Sequence, residues 1–442
     1  MHQKVSLPWG ESELSVMLPA GWKILGTPVP QGSLETKPPA EACAEALTDP
    51  IGCSRLASRD LSAARVVLVA DDHSRTTPVA EFVGPVLDEL QAGGLRHEHI
   101  SFLLANGVHR KSTPKEVETK LGSEVAGRYP WRCHDAHDKS GFADFGTTSR
   151  GTRVFLNKAL MEADLIICLG AVEPHLLLGF GGGLKMLVPG CAGTETIGRN
   201  HLQGTGGALF DYVGVRGDDS PMRLDLEEAA LLSGREVFIV NAAMDERSRP
   251  VRFFCGDPVQ AQRAAESFVE GLVGLEVPEQ ADVVLTNSFP MDSDLRQSAK
   301  CFGNWLHACR PGGVMMGCLR AEHGLGEIPL PKKTLPYSVM RALLKLIGQK
   351  RILGLVEKAK KGEPVEEVFI GHFGLQMLRR SHLGIFSDNP LLPQDVGRKM
   401  GLARSFARIE EMVQWASGKV PERASVWVVP FGGSTYARVG SP

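Results

Sequence analysis

The sequence of 442 residues lacks the features that mark several large classes of protein. It has no run of about 18 apolar residues, the length that a membrane-spanning helix requires. Its 49 basic and 51 acidic residues give a formal net charge of -2, without the basic excess of nucleic-acid-binding proteins. No basic segment followed by an apolar one opens the chain, so we expect no signal peptide. We therefore expect neither a membrane nor a nucleic acid among its partners.

The cysteines form no recognisable pattern either. Nine are scattered along the chain, and no two have the spacing C-x-x-C. An odd, unpatterned number favours reduced thiols over a disulfide framework, which predicts a cytoplasmic protein.

Glycine, in contrast, is abundant at 49 residues. No repeat explains this excess, which indicates many tight turns at the ends of secondary-structure elements.

Short apolar runs alternate with helical patterns, as is typical of α/β proteins. Strands are predicted at 64–72, 99–107, 163–172, 235–245, 281–290, 312–320, 366–374 and 425–433, and helices at 79–94, 113–125, 257–277, 295–309 and 403–418. The pattern restarts near residue 275. We therefore predict two α/β domains with mainly parallel sheets, one at 1–274 and completed by about 406–442, the other at 275–405.

Polar side chains follow three of these strands at the points where the strands end. Asp72 and Arg75 follow the first strand, His109 follows the second, and His175 and Lys185 follow the third. Ligands of doubly wound sheets bind beyond the carboxyl ends of the strands, so we expect these five side chains to converge. Each alone could be a turn, cap or surface residue, but three coincidences are harder to explain than one shared site.

Two other stretches have both a functional and a structural interpretation. Gln297 and Lys300 share one face of a predicted helix that Asp292 or Ser293 could cap, and its positive end would attract an anion. The alternative is a solvated helix face. The stretch CHDAHD at 133–138 contains metal-ligand residue types, but it has no partner cluster elsewhere, which favours a polar loop.

The glycine-rich stretch GFGGGLK at 179–185 does not match the two common phosphate-binding loops. A P-loop requires glycine before its lysine and a hydroxyl residue after it, but Leu184 and Met186 flank Lys185. The dinucleotide fingerprint G-x-G-x-x-G fails because Leu184 occupies the position of its third glycine. What remains is a flexible backbone wall with one lysine, followed by His201.

Four separated motifs carry a resemblance to a known family. They are D-x-S-R-x-x-P at 72–78, G-V-H-R at 107–110, E-P-H-x-x-x-G-F-G-G-G-x-K-x-x-x-P-G at 173–190 and R-Q-S-A-K at 296–300. In this order, and across most of the chain, they resemble the nickel-dependent lactate racemases and their homologues. One departure is Ser74, because the family commonly has threonine at that position.

The resemblance implies a cofactor, the nickel-pincer nucleotide, which is a pyridinium mononucleotide with two thio-acyl arms that bind nickel. Lys185 would be joined covalently to one arm, and His201 would be the nickel ligand. An imidazole suits nickel, and soft sulfur arms leave one position for the protein. The wall would consist of Gly179, Gly181, Gly182 and Gly183, which let the backbone approach the ring closely. Other enzymes would synthesise and load the cofactor.

The resemblance also implies a reaction, the racemisation or epimerisation of 2-hydroxy acids by reversible hydride transfer through a 2-keto acid. His109 and His175 would be the two bases, one for each enantiomer. The substrate-binding residues would be Asp72, Arg75, Gln297 and Lys300. The domain at 1–274 would then bind the cofactor and the domain at 275–405 the substrate, with the active site in the cleft between them.

Arg296 departs from the lactate-specific members of that family, in which an aromatic residue stands at this position. A guanidinium there could bind a second anionic group, so malate or another short 2-hydroxy acid joins lactate as a candidate substrate; an orientation of Arg296 toward solvent is an equal alternative. Two other function classes stay open. A nucleotide-dependent oxidoreductase is opposed by the broken fingerprint, and a non-catalytic carrier of nickel or cofactor would leave His109 and His175 without a role.

Overall fold

The computed structural model describes residues 2–30, 36–204, 212–326, 330, 335–347, 351, 354–355, 358 and 374–440. The chain forms two compact units. We call Gly32–Gly271 the central unit, and Met1–Gln31 with Leu272–Pro442 the terminal unit. Both contain a sheet of mainly parallel strands, so the predicted fold class is confirmed.

The strands have the following bounds: β1 His2–Trp9, β2 Ser12–Pro19, β3 Lys23–Gly26, β4 Val66–Asp71, β5 Ile100–Ala105, β6 Trp131–Cys133, β7 Phe142–Thr147, β8 Arg153–Asn157, β9 Leu165–Val172, β10 Pro174–His175, β11 Gly179–Phe180, β12 Glu236–Met244, β13 Pro250–Gly256, β14 Gly274–Val277, β15 Ala281–Asn287, β16 Cys309–Cys318, β17 His382–Phe386, β18 Arg404–Phe406, β19 Ser425–Val429 and β20 Tyr436–Val439. The labelled α-helices are α1 Pro39–Thr48, α2 Val83–Ala92, α3 Pro114–Leu121, α4 Ser123–Arg128, α5 Thr194–Gln203, α6 Pro221–Leu231, α7 Gln260–Val273, α8 Leu295–Ser298, α9 Lys300–Asn304, α10 Tyr337–Ile347, α11 Val396–Met400 and α12 Ile409–Ser417. A further helical stretch covers 374–380.

The sheet of the central unit has the order β13-β12-β9-β4-β5-β6. All of its pairs are parallel except that of β12 with β13. Every residue of β4 and β9 is buried, as expected for parallel strands covered on both faces. The helix after β5 begins as predicted, because Thr113 and Glu116 form a capping box and Pro114 occupies the first turn. The carboxyl ends of β9, β4 and β5 therefore lie side by side.

The sheet of the terminal unit has the order β18-β17-β16-β15-β19-β3, with parallel pairs throughout. The predicted boundary near 275 lies close to the observed division at Gly271. The expectation that residues 406–442 complete the first domain is wrong, because β19 lies between β15 and β3 of the terminal unit. The amino terminus also belongs to this unit, since β3 forms its sheet edge and the β1–β2 hairpin packs on its core.

Some element boundaries differ from the predictions. The helix predicted at 257–277 ends at Val273, and the next four residues form β14, which pairs with β20. The segment 403–418 begins with a strand, β18, before α12 starts. The predicted strand at 366–374 lies outside the described residues except for Gly374, which is helical. Within the described parts of the chain, no helix is long and apolar enough to cross a membrane, and all nine cysteines are free thiols.

Candidate active site

The loops after β4, β5 and β9 meet at one edge of the central sheet. Asp72, after β4, contacts His109, after β5, with 2.6 Å between Oδ2 and Nδ1. Arg75, three residues further on, pairs with Glu173 after β9, with 3.8 Å between Nη1 and Oε1. His175 is two residues beyond Glu173. The structure therefore brings Asp72, Arg75 and His109 together, as their places at strand ends predict.

Asp72 and His109 form a buried hydrogen-bonded pair. Ser74 supports it, because its hydroxyl and its amide both donate to Asp72 Oδ1, at 2.6 and 2.9 Å. Burial alone would raise the pKa of Asp72, but the hydrogen bond and charge of His109 and the charge of Arg75 hold it well below its usual range. An ionised Asp72 accepts the Nδ1 proton of His109. The neutral ring then carries its lone pair on Nε2, as a general base requires.

A buried lysine fastens the loop that carries Asp72 and Arg75. Lys120 of α3 donates to Asp71 Oδ1 at 2.8 Å, to the Arg75 carbonyl at 2.9 Å and to the Thr77 carbonyl at 3.0 Å. Burial raises the pKa of Asp71 above its usual value, although the positive charge of Lys120 acts in the opposite direction. Sequence reasoning missed Lys120, because a lysine within a helix pattern is ordinarily solvated.

His175 has the opposite hydrogen-bonding arrangement to His109. Its Nδ1 accepts the backbone amides of Leu177 and Leu178, at 3.3 and 3.2 Å. A nitrogen that accepts two N–H groups carries a lone pair, so the proton of the neutral ring is on Nε2. His175 is therefore arranged as a hydrogen-bond donor at Nε2, whereas His109 is arranged as an acceptor there.

The glycines of the loop at 179–183 are required by the protein itself. Gly179, Gly182 and Gly183 have φ values of +85°, +80° and +60°, a region that side chains disfavour. A Cβ on Gly179 would lie 1.9 Å from the Val215 carbonyl oxygen, and one on Gly183 would lie 2.5 Å from Gln262 Oε1. Protein atoms fill the space in front of these glycines, a constraint that the sequence did not reveal.

A fully buried arginine holds the carbonyl groups of this loop. Arg223 of α6 is 0% exposed, and its guanidinium donates to the carbonyls of Phe180, Gly181 and Gly182. Glu266 and Glu227 balance its charge, at 3.7 and 3.9 Å from Nε. A buried guanidinium requires such compensation. Sequence reasoning missed Arg223, since nothing in the local pattern of α6 distinguishes it from a surface arginine.

The two residues assigned to the cofactor have environments that suit those assignments. Lys185 lies in the 3-10 turn Gly183–Met186 and is only 8% exposed. Keeping a buried primary amine charged costs free energy, and an amide-type linkage removes that charge. His201, in the last turn of α5, donates from Nδ1 to the Ile197 carbonyl at 2.8 Å. Its neutral ring therefore has the lone pair on Nε2, the arrangement typical of metal-ligating histidines.

The stretch at 133–138 is structural. His134 is 0% exposed, its Nε2 contacts the Ala192 carbonyl at 3.0 Å, and its Nδ1 contacts Asn157 Nδ2 at 3.1 Å. Burial lowers the pKa of His134 to about 4, so the ring is neutral near pH 7. Among the described residues, no group of three His, Cys, Asp or Glu side chains is placed to hold a metal ion. The polar-loop interpretation is therefore the better one.

The candidate substrate residues of the terminal unit lie at a short, divided helix. Asp294, rather than Asp292 or Ser293, caps α8 by accepting from the Gln297 amide at 2.8 Å. The predicted helix is split into α8 and α9 at Ala299, and α8 has only four residues. A single turn gives little support to the expected anion site at its positive end. Gln297 is buried, and Arg296 and Lys300 are partly exposed, so their contacts with a substrate stay a prediction.

Comparisons with known proteins relate this chain to lactate racemases. Residues 9–207 match the lactate racemase N-terminal domain. Two lactate racemases are similar to the chain over most of its length. It is 28% identical over 326 residues to the lactate racemase of Thermoanaerobacterium thermosaccharolyticum, covering 73% of this chain and 75% of the relative. It is 27% identical over 320 residues to the lactate racemase of Lactiplantibacillus plantarum, covering 70% and 74% respectively.

Solved structures show the same fold over nearly the whole length. The lactate racemase apoprotein of Thermoanaerobacterium thermosaccharolyticum is similar, with a TM-score of 0.83 and 23% identity, covering 99% of this chain and 100% of that one. A protein from Thermotoga maritima has a TM-score of 0.66 and 18% identity, covering 92% and 100%. The likeness therefore includes both units, beyond the segment that the domain match covers.

We predict that Arg223→Met lowers the free energy of unfolding by about 3–5 kcal/mol, because it leaves three buried carbonyls without their donor and removes one of the two arginines that balance Glu227 and Glu266, the other being Arg263. Chemical denaturation of the purified variant measures this change. The control is Arg153→Met, which breaks the exposed pair with Asp144 and should cost about 1 kcal/mol or less. Equal effects of the two substitutions would contradict the anchoring role of Arg223.

Proposed function

We propose that this protein racemises or epimerises a short 2-hydroxy acid. The observation that carries the proposal is the pair of histidines beyond the ends of neighbouring strands, with His109 arranged as a proton acceptor and His175 as a donor. Racemisation of a hydroxy acid needs a base that takes the hydroxyl proton, and a hydrogen-bond donor that polarises a substrate oxygen assists this step. Both curated relatives are racemases, so an isomerase is also the class of enzyme that these relatives indicate.

The cofactor of the proposal is the nickel-pincer nucleotide, with Lys185 as its covalent attachment and His201 as the protein ligand of nickel. The buried amine of Lys185 and the Nε2 lone pair of His201 fit these two roles. When bound, this group would supply an acceptor for the substrate α-hydrogen as hydride, so that the reaction passes through a 2-keto acid. Loading would depend on separate cofactor-synthesis enzymes.

The protein side of the chemistry is proton transfer and orientation. His109 Nε2 takes the substrate hydroxyl proton, and Asp72 stabilises the imidazolium that forms, since it accepts from Nδ1 at 2.6 Å. Arg75, held by Glu173, binds the substrate oxygens, because a guanidinium matches a carboxylate or alkoxide. Asp72 thus orients His109 through their hydrogen bond, and its negative charge also attracts Arg75.

His175 acts first as a donor. To take a proton at Nε2 it must carry another on Nδ1, which would oppose the amides of Leu177 and Leu178. In the observed arrangement His175 therefore polarises a substrate oxygen through Nε2–H. Its use as a base for the second enantiomer requires release of those two amide contacts, which makes the two histidines mechanistically unequal.

Loading of the cofactor is testable by mass. After co-expression with the cofactor-synthesis enzymes, we expect an added mass on the Lys185 peptide and about one nickel per chain. Lys185→Arg should abolish the added mass, because arginine cannot form the linkage, and His201→Ala should retain it but lose nickel. Lys158→Arg, a lysine whose amine contacts the Ser140 carbonyl, serves as the control. An adduct that survives Lys185→Arg would refute the attachment site.

The hydride step and the histidine pair are testable together. With an α-deuterated 2-hydroxy acid in water, we expect the product enantiomer to retain its deuterium, because the hydrogen does not exchange with solvent. We expect His109→Gln and Asp72→Asn to lower kcat about 10²- to 10⁴-fold with cofactor loading unchanged. Asp144→Asn, which affects the exposed pair with Arg153 and a hydrogen bond from the Gly146 amide, should be neutral. Loss of the label to solvent would instead indicate proton abstraction at the α-carbon.

Arg296 is proposed to extend the substrate range toward dicarboxylates such as malate, because its guanidinium offers a second anionic group a partner. We predict that Arg296→Tyr lowers kcat/KM for malate about tenfold relative to lactate. Rates with enantiopure lactate and malate measure this ratio. An unchanged ratio would mean that Arg296 does not contact the substrate.

A further inference from the structure

A cavity of about 900 Å³ lies in the terminal unit. It is lined by α10, α11, α12 and the starts of β17 and β18. We call it the basic pocket. The strands β15 to β18 are parallel, so their amino ends share one edge of the sheet. Gln297 and Lys300 follow the carboxyl end of β15, at the opposite edge.

The basic pocket is strongly positive. Among the described residues, six cationic side chains line it and Asp395 supplies the one carboxylate; the cations are Arg341, Lys345, Arg398, Lys399, Arg404 and Lys419. Asp395 pairs with Arg398 and Lys399, at 2.5 and 3.1 Å. His382 also lines the pocket; burial and then the neighbouring cations lower its pKa to about 4, so it adds no charge near pH 7. A concave surface whose charges are mostly of one sign attracts ligands of the opposite charge.

Arg341 supplies the decisive observation. It is 6% exposed, and its Nη1 donates to the carbonyls of Leu378 and Ser381. Its Nε and Nη2 are buried, and neither has a hydrogen-bond partner within the described parts of the chain. A buried donor without an acceptor is unfavourable, because it has lost its hydrogen bonds to water and gained none in return. Protein atoms cover both donors in this structure, so they can meet an anion in the pocket only after the Arg341 side chain turns outward; its fork then matches two oxygens of one phosphate or carboxylate group.

We propose that the basic pocket binds a small phosphorylated metabolite with at least two negative charges. Arg341 would hold one phosphate group, and the lysines that line the pocket would bind the other negatively charged groups. The volume is within the range of small-ligand sites. A phosphate group gives the fork of Arg341 its acceptors and balances the excess positive charge. This ligand is distinct from the 2-hydroxy acid, so the site would stand even if the proposed racemase activity did not.

The test is calorimetric titration of the full chain with pyrophosphate and with ADP, at low and at high salt. We expect both to bind, with affinity that falls as salt rises, and Arg341→Met to weaken binding about tenfold or more. Arg341→Lys should rescue it only in part, because lysine lacks the fork. The double variant Lys345→Gln/Lys419→Gln provides an independent test at two exposed positions, should Arg341→Met not fold.

Each outcome decides between specific alternatives. Tighter binding of ADP than of pyrophosphate would indicate that a ring contacts the aromatic wall, where Trp415 lies beside His382. Equal binding of ADP and pyrophosphate would indicate that the pocket contacts only the phosphate groups of its ligand. The proposal is overturned if neither probe binds, or if binding is unaffected by both the Arg341 and the lysine variants. Arg153→Met in the central unit is the matched control and should leave binding unchanged.

Discussion

The loop that carries Lys185 depends on one buried cation. Arg223 holds three successive carbonyl groups, those of Phe180, Gly181 and Gly182, and is itself fully buried. Gly179, Gly182 and Gly183 have left-handed backbone conformations, which only glycine adopts without strain. The glycines at these three positions are thus required by the path of the loop that Arg223 anchors.

A second buried cation performs the same task for the loop after β4. Lys120 holds the Arg75 and Thr77 carbonyls and is balanced by Asp71. These two loops, after β4 and after β9, therefore each receive a charged side chain from a helix of the same unit, with a carboxylate to compensate it. Loops at strand ends are ordinarily mobile, but carbonyls fixed in this way give the side chains between them a defined direction. Such support is what a site for proton transfer requires.

The parts of the fold that follow from local pattern were predictable. Buried strands such as β4 and β9 are continuous apolar runs, and the capping box of α3 lies within four consecutive residues. Arg223, Lys120 and Glu173 could not be assigned, because their partners lie far away in sequence and their own neighbours look ordinary. The placement of β19 failed for a related reason: the short strand β3, which gives it a neighbour in the terminal sheet, has no apolar run of its own.

The opposite arrangement of the two histidines bears on how one site can treat two mirror-image substrates. A symmetric pair of bases would be the simplest solution, but Asp72 fixes His109 as an acceptor while two backbone amides fix His175 as a donor. A carboxylate can stabilise an imidazolium, whereas amide N–H groups cannot. The free energy of moving a proton onto each ring therefore differs, and the amides after His175 must yield before the roles can exchange. The segment at 175–178, rather than the dyad of Asp72 and His109, is then where the two directions of the reaction would be balanced.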